Sequence, residues 1–513
     1  MRKVILLPIV LLAMRLHGQA GTLDSDFGGD GIVTTSIGGA TYGRAIALQT
    51  DGKILVAGGA ELSTTDFAVA RYFPDGSLDP SFSGDGVSTI GLSDTDMANA
   101  VAVQTDGKIL LAGYYTIGAS RYFAVARLNT DGSADSGFGL NGHTFAQVGE
   151  GTAPFEEEAR AICLQPDGKI LVAGSADNGT HNDFGLLRFN TNGALDESFS
   201  FDGKVVTSFG AQNNGANAIA LDPNGHIVVA GYSNADIAVA RYNADGQLDN
   251  TFGTNGKLTT GNGTGSIESG TAVQVTPEGK ILVGGYSGSG FDSDFILVRY
   301  TSGGTLDPTF SSGGIATLQL GGWAGFASCL ALQPDGKALL GGSAYTGLNA
   351  EGFAVARFTT SGALDNTFGT NGWLTTTING EGGSGNAMAL QANGRILVAG
   401  SRTSSPNTFA IARYLNDLDI GVAEEDKLGI SAVLYPNPIL NSATLRYELT
   451  TAAEVSCDLL DILGHRIRSL LGNTHQAPGE HLVPLGRIGL ASGAYTVLLY
   501  TDREIRYIPV IIE

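Results

Sequence analysis

One eight-residue phrase returns seven times, and that periodicity constrains the fold more than any other feature of the chain. It reads DGKILVAG from Asp51, DGKILLAG from Asp106, DGKILVAG from Asp167, NGHIVVAG from Asn224, EGKILVGG from Glu278, DGKALLGG from Asp335 and NGRILVAG from Asn393. A run like AIALQ precedes each copy, a run like FAVARY follows it, and a run like LDxSFGxNG leads to the next. Residues 23–415 therefore hold seven units of about 56 residues, somewhat longer than the common propeller repeats. Units of this kind bury their apolar faces only by stacking on their neighbours.

In the first unit, residues 31–37, 44–49, 53–58 and 67–72 are short, Val-, Ile-, Leu- and Phe-rich runs with period-two alternation. Each reads as a strand. Asp-Gly or Asn-Gly stands at most turns between the second and third runs, a strong short hairpin signal. Four antiparallel strands repeated seven times predict an all-β chain built as a seven-bladed β-propeller. A β-solenoid fits less well, because its coils are usually shorter and lack hairpin turns. The first unit starts with the run at 31–37, and the last ends on residues 408–414, the counterpart of 67–72. Residues 31–37 should therefore pair with residues 409–414, closing the ring and hiding two sheet edges.

Read together, DGKILVAG, DFAVARY and DGSLDPSFSGDG resemble the delta-60 repeat family, itself similar to NHL-type propeller repeats, over residues 23–414. The resemblance implies the propeller fold and brings no established activity.

Residues 1–20, MRKVILLPIVLLAMRLHGQA, have a basic start, an apolar centre and a small-residue end, the layout of a secretory signal peptide. No later stretch reaches 18 apolar residues in a row, so no membrane span is expected. With 29 Lys and Arg against 50 Asp and Glu, the formal charge of −21 speaks against nucleic acid or an anionic membrane as partner. Three cysteines, Cys163, Cys329 and Cys457, do not make a disulfide framework.

The repeat occupies residues 21–414; an acidic linker, 415–430, follows, and residues 431–513 read as a different, strand-rich unit. Runs at 443–449, 453–460, 482–485, 494–500 and 505–511 suit a small β-sandwich. Within it LYPNP at 434–438, SATLRYEL at 442–449, DLLDILGHRI at 458–467, PGEH at 478–481 and LASGAYTVLL at 490–499 resemble the C-terminal sorting domain of the type IX secretion route. That resemblance implies carriage across a Gram-negative outer membrane by the type IX machinery, leaving the propeller at the cell surface or released. The family's basic residue near the chain end is only partly matched, by Arg503 and Arg506.

Two residues recur in every unit, Arg71, Arg127, Arg188, Arg241, Arg299, Arg357 and Arg413 in the run equivalent to 67–72 and Asp24, Asp79, Asp135, Asp196, Asp249, Asp307 and Asp365 in the linker. A site seldom occurs seven times in one ring, so these are expected to be structural ion pairs. The acidic linkers lack the spacing of a calcium loop and read as Asx-turns. No catalytic, cofactor or metal motif is present, and no two histidines share ligand spacing.

Turn chemistry makes one rim of the ring uniform, whereas the loops on the opposite rim differ in every unit, and recognition belongs on a variable rim. The candidate ligand-binding residues there are Trp323, Tyr345, Tyr115 and Phe155, for stacking, and the carboxylates Glu156, Glu157 and Glu158. The expected function is non-catalytic binding, adhesion or scaffolding toward an extracellular glycan, protein or polymer. The alternative is a secreted hydrolase or lyase whose acids meet in the central funnel.

Overall fold

The computed structural model describes residues 19–92, 94–151, 154–261, 267–289, 292–345, 347, 351–417, 431–435, 439, 442–449, 451–460, 466–487, 490, 493–501 and 505–512. The chain divides into two compact units, Met1–Leu418 and Asp419–Glu513. Every regular element among the described residues is a β-strand.

The first unit opens with β1 (Ile32–Thr35), β2 (Thr41–Leu48), β3 (Ile54–Glu61), β4 (Thr65–Tyr72) and β5 (Val87–Ile90). Strands β2 to β5 form the first blade, an antiparallel meander with β2 innermost. Five more four-stranded sheets follow in the same order. The seventh uses Gly382–Leu390, Ile396–Thr403 and Thr408–Tyr414, and its fourth strand is β1. The register runs from Ile32 opposite Ala412 to Thr35 opposite Phe409. The fold is a seven-bladed β-propeller, closed by the strand exchange that the unpaired first strand implied.

Both faces of each blade are buried, which is why the strands carry nearly continuous apolar runs. On β4, Phe67 and Val69 pack with Ile109 and Leu111 of the second blade. Ala68, Ala70 and Tyr72, on its other face, pack with Leu397 and Phe409 of the seventh.

Each recurrent arginine crosses from one blade to the next, and in every unit it meets the recurrent aspartate at 2.7–2.9 Å. Its guanidinium also lies 4.4–4.9 Å from the centroid of a linker phenylalanine. Arg71 Nη1 goes on to donate to the Thr130 carbonyl of the next blade at 2.5 Å. The same aspartates form Asx-turns, as where Ser81 N–H donates to Asp79 Oδ1 at 3.0 Å. Fixed from three sides, the pairs are struts between blades.

The second unit is a small β-sandwich. Ser431–Tyr435, Ser442–Leu449 and Gly479–Gly486 form one sheet, and Arg466–Gln476, Ala453–Leu460, Gly493–Thr501 and Ile505–Ile512 form the other. Leu445, Tyr447, Val455, Leu459, Val497 and Val510 share its core. Strand Arg466–Gln476 was not among the expected runs. It lies at a sheet edge with most of its side chains at least partly exposed, so no alternation marks it.

Candidate functional site

Each innermost strand carries one polar residue between two small ones: Gly43-Arg44-Ala45, Ala98-Asn99-Ala100, Ala159-Arg160-Ala161, Ala216-Asn217-Ala218, Gly270-Thr271-Ala272, Ala327-Ser328-Cys329 and Gly385-Asn386-Ala387. Pairing with the next strand skips at that residue in all seven blades. This is a β-bulge, a device that re-aims a side chain.

The cause lies in the strand alongside. A Cβ on Gly58 would stand 1.8 Å from the Tyr42 carbonyl oxygen, and one on Gly113 would stand 1.8 Å from that of Met97. Gly174, Gly231, Gly285, Gly342 and Gly400 meet the equivalent carbonyls at 1.9–2.1 Å. Only glycine lets the bulged backbone approach so closely. The final AG or GG of the seven-fold phrase is therefore the bulge signal.

All seven bulge residues line one cavity of about 700 Å³ on the ring axis. That volume falls in the range of small-ligand sites. Asn234, between the middle strands of the fourth blade, and Ile267, just before the fifth, also line it, so the funnel opens toward the variable loops.

Five bulge residues join their blade to the next. Asn99 Nδ2 donates to Ala159 O at 2.9 Å, Asn217 Nδ2 to Gly270 O at 2.8 Å, Thr271 Oγ1 to Ala327 O at 2.8 Å and Asn386 Nδ2 to Gly43 O at 2.7 Å. Arg160 Nη1 donates to Asn217 Oδ1 at 2.8 Å while its Nε meets Glu158 Oε1 at 2.6 Å. Tyr114, Tyr232 and Tyr286 add three phenols to the wall. Burial raises the Tyr114 hydroxyl above its ordinary pKa. Glu268 is a second, deeply buried carboxylate.

The candidates from the loops scatter. Trp323 is 38% exposed, and Tyr345 is half-buried with its N–H on Ala324 O at 3.0 Å, so the two share one corner of the sixth blade. Tyr115 and Phe155 are buried, contrary to their assignment as exposed stacking platforms. The Tyr115 ring packs 4.7 Å from Phe145 and 5.4 Å from Tyr122, and Phe155 meets Tyr122 edge-on at 5.4 Å. They anchor loops onto the second blade.

Nor do Glu156, Glu157 and Glu158 form a cluster, because successive residues of an extended segment point opposite ways. Glu156 is exposed, 3.5 Å from Arg121. Glu157 is fully buried and accepts the Val148 and Gly149 N–H groups at 2.8 and 2.7 Å. Glu158 alone of the seven candidates lines the funnel. The bulge residues escaped a reading aimed at loops, although the small–polar–small pattern was there to find them.

Seven stretches, residues 49–82, 104–138, 165–199, 223–252, 276–310, 333–368 and 391–420, match the family model described as "Domain of unknown function (DUF5122) beta-propeller". The chain thus carries seven of these propeller repeats. No curated protein sequence matches the chain. Similar solved structures include the polysaccharide lyase Uly1, 9% identical with a TM-score of 0.46 over 77% of this chain and 99% of that one. Another is a polysaccharide lyase titled PL25-Ulvanlyase, bound to -[GlcA(1-4)Rha3S]-, 11% identical with a TM-score of 0.45 over 75% and 96%. A protein from Lactobacillus plantarum is 14% identical with a TM-score of 0.37 over 73% and 98%. At these identities and scores, the likenesses bear on neither activity nor ligand. Among the described residues, no helix is long and apolar enough to cross a membrane, and no group of three or more His, Cys, Asp or Glu could hold a metal ion.

Proposed function

We propose that the propeller is an extracellular, non-catalytic binding module that seats part of a glycan, protein or polymer in its central funnel. One observation carries this reading: the same bulge in seven blades turns seven polar side chains into a single cavity. Trp323 and Tyr345 extend the contact surface on the rim. Residues 1–20 act as the export signal, and residues 431–513 as the type IX sorting domain, on the strength of the motifs quoted above.

The hydrolase or lyase alternative would use Glu158 or Glu268 as its acid or base. Glu158 is tied to Arg160, which favours binding over proton transfer. The test is a glycan and matrix-protein array with the full chain, repeated with Tyr232→Ala and Tyr286→Ala. Capture lost in both variants, with no product released, is expected. Turnover of the captured ligand would replace this reading with the enzymatic one. A chain ending at Asp417 is expected to remain in the periplasm, and its normal surface display would refute the sorting role.

A further inference from the structure

The seven bulge residues are not equivalent. Five of them bond to the next blade, and Arg160 among them is neutralised by Glu158 at 2.6 Å. Arg44 is different. It is exposed within the funnel, and among the described residues no hydrogen bond or ion pair holds its guanidinium. Its backbone is nonetheless fixed, since Asn386 Nδ2 holds the Gly43 carbonyl at 2.7 Å and the Gly43 N–H donates to Ser401 Oγ at 3.0 Å. A positioned, unneutralised cation is conspicuous in a chain whose formal charge is −21.

The wall beside it is a surface for hydroxyls. Arg44 is close enough to Tyr114 to act on its phenol electrostatically, and so is Glu158, with the opposite sign. Arg121 stacks on the Tyr114 ring at 4.7 Å and stiffens it. Amides, phenols and a carboxylate around one guanidinium offer both donors and acceptors to sugar hydroxyls.

We propose that the funnel binds an acidic sugar residue of a polysaccharide, with the sugar's carboxylate or sulfate on the Arg44 guanidinium and its hydroxyls on Tyr114 and Glu158. This rests on the funnel being the binding site. Guanidinium groups recognise planar carboxylate and tetrahedral sulfate oxygens through charge-assisted bonds, which are among the stronger polar contacts.

The experiment is calorimetric titration of the full chain with four probes: an oligogalacturonide, charged by carboxylates alone, a carrageenan oligosaccharide, charged by sulfates alone, neutral cellohexaose and hexaglutamate. Each is repeated with Arg44→Met, which keeps the stem and removes the charge, and with Tyr232→Ala. Binding of an acidic oligosaccharide, weakened about tenfold or more in Arg44→Met and by added salt, is expected. Whichever acidic probe binds separates carboxylate from sulfate. Cellohexaose binding that falls with Tyr232→Ala but not with Arg44→Met would overturn the acidic ligand and leave the funnel standing. Acidic-sugar binding untouched by both substitutions would overturn the funnel itself. Binding of hexaglutamate alone, or of no probe, would also overturn the proposal.

Discussion

Arg413 Nε, in the last strand of the propeller, lies 2.8 Å from Asp24 Oδ2, ahead of the first. Both side chains are nearly solvent-free, at 2% and 4% exposure, and Arg395 adds a second cation on the same oxygen. In the first six blades the equivalent pair is local in sequence; here it fastens the two ends of the ring. Asp24→Ala strands two guanidinium groups and should lower the free energy of unfolding by about 3–5 kcal/mol, measured by urea denaturation. A loss under about 1 kcal/mol would mean that closure does not depend on this pair.

The repeated aspartates also set the acid limit of the propeller. The Lys280 ammonium, with Thr309, holds Asp307 well below the usual carboxylate range, and Lys108 does the same for Asp135. Burial raises Asp365, but Thr367, Lys337 and Arg357 outweigh it and bring its carboxyl down to about 2. A carboxyl depressed in the folded state stabilises fully above its unfolded value near 3.9, and that stabilisation is lost as pH falls through the folded value. Urea midpoints should therefore stay level with respect to these groups above about pH 5 and fall between about pH 4 and pH 2. Lys280→Met should lower the plateau and shrink the decline below about pH 4, because the Asp307 carboxyl is then less depressed in the folded state.

A seam is hidden in the turn before the closing strand. In the first blade this turn is continuous, with Phe73 N–H on Ser77 O and Gly76 N–H on Phe73 O, at 2.8 and 2.9 Å. In the seventh it is split, with Leu415 N–H on Thr22 O and Gly21 N–H on Leu415 O, at 2.9 and 2.8 Å. Beside it, Gly369 N–H donates to Ala20 O at 2.8 Å and Gln19 Nε2 to Gly369 O at 2.8 Å. A chain beginning at Gly21 loses both of those bonds and the buried Ala20 side chain. It should be less stable than one beginning at Gln19 by about 1–3 kcal/mol, a difference visible as a lower Tm.

The propeller was legible because its evidence is local and repeated: a turn glycine such as Gly52, a buried run such as Ile54 to Ala57, and an arginine with its aspartate. The site was less legible because it is assembled across blades. Asn217 touches Gly270 and Arg160, each more than fifty residues away. Tyr115 looked like an exposed loop aromatic, and the rings of Tyr122 and Phe145 on neighbouring strands cover it. Glu157 looked like part of an acidic patch, yet three backbone N–H groups surround it. Burial of that kind depends on which loops fold back, and residue type alone does not report it.

The bulge glycines yield the sharpest test of the funnel's construction. In Gly113→Ala, the new Cβ would fall 1.8 Å from the Met97 carbonyl oxygen, a backbone atom that moves only if the inner strand does. The bulge before Ala100 would have to flatten, and Asn99 would then turn away from the axis and lose its bond to Ala159 O. Gly113→Ala should cost at least about 3 kcal/mol, as overpacking and a broken inter-blade bond combine. Asn99→Ala removes the bond but spares the backbone, and should cost only about 1 kcal/mol. Urea denaturation of both variants separates the cases. Equal losses would mean that the side chain, rather than the close approach of the two strands, maintains the bulge.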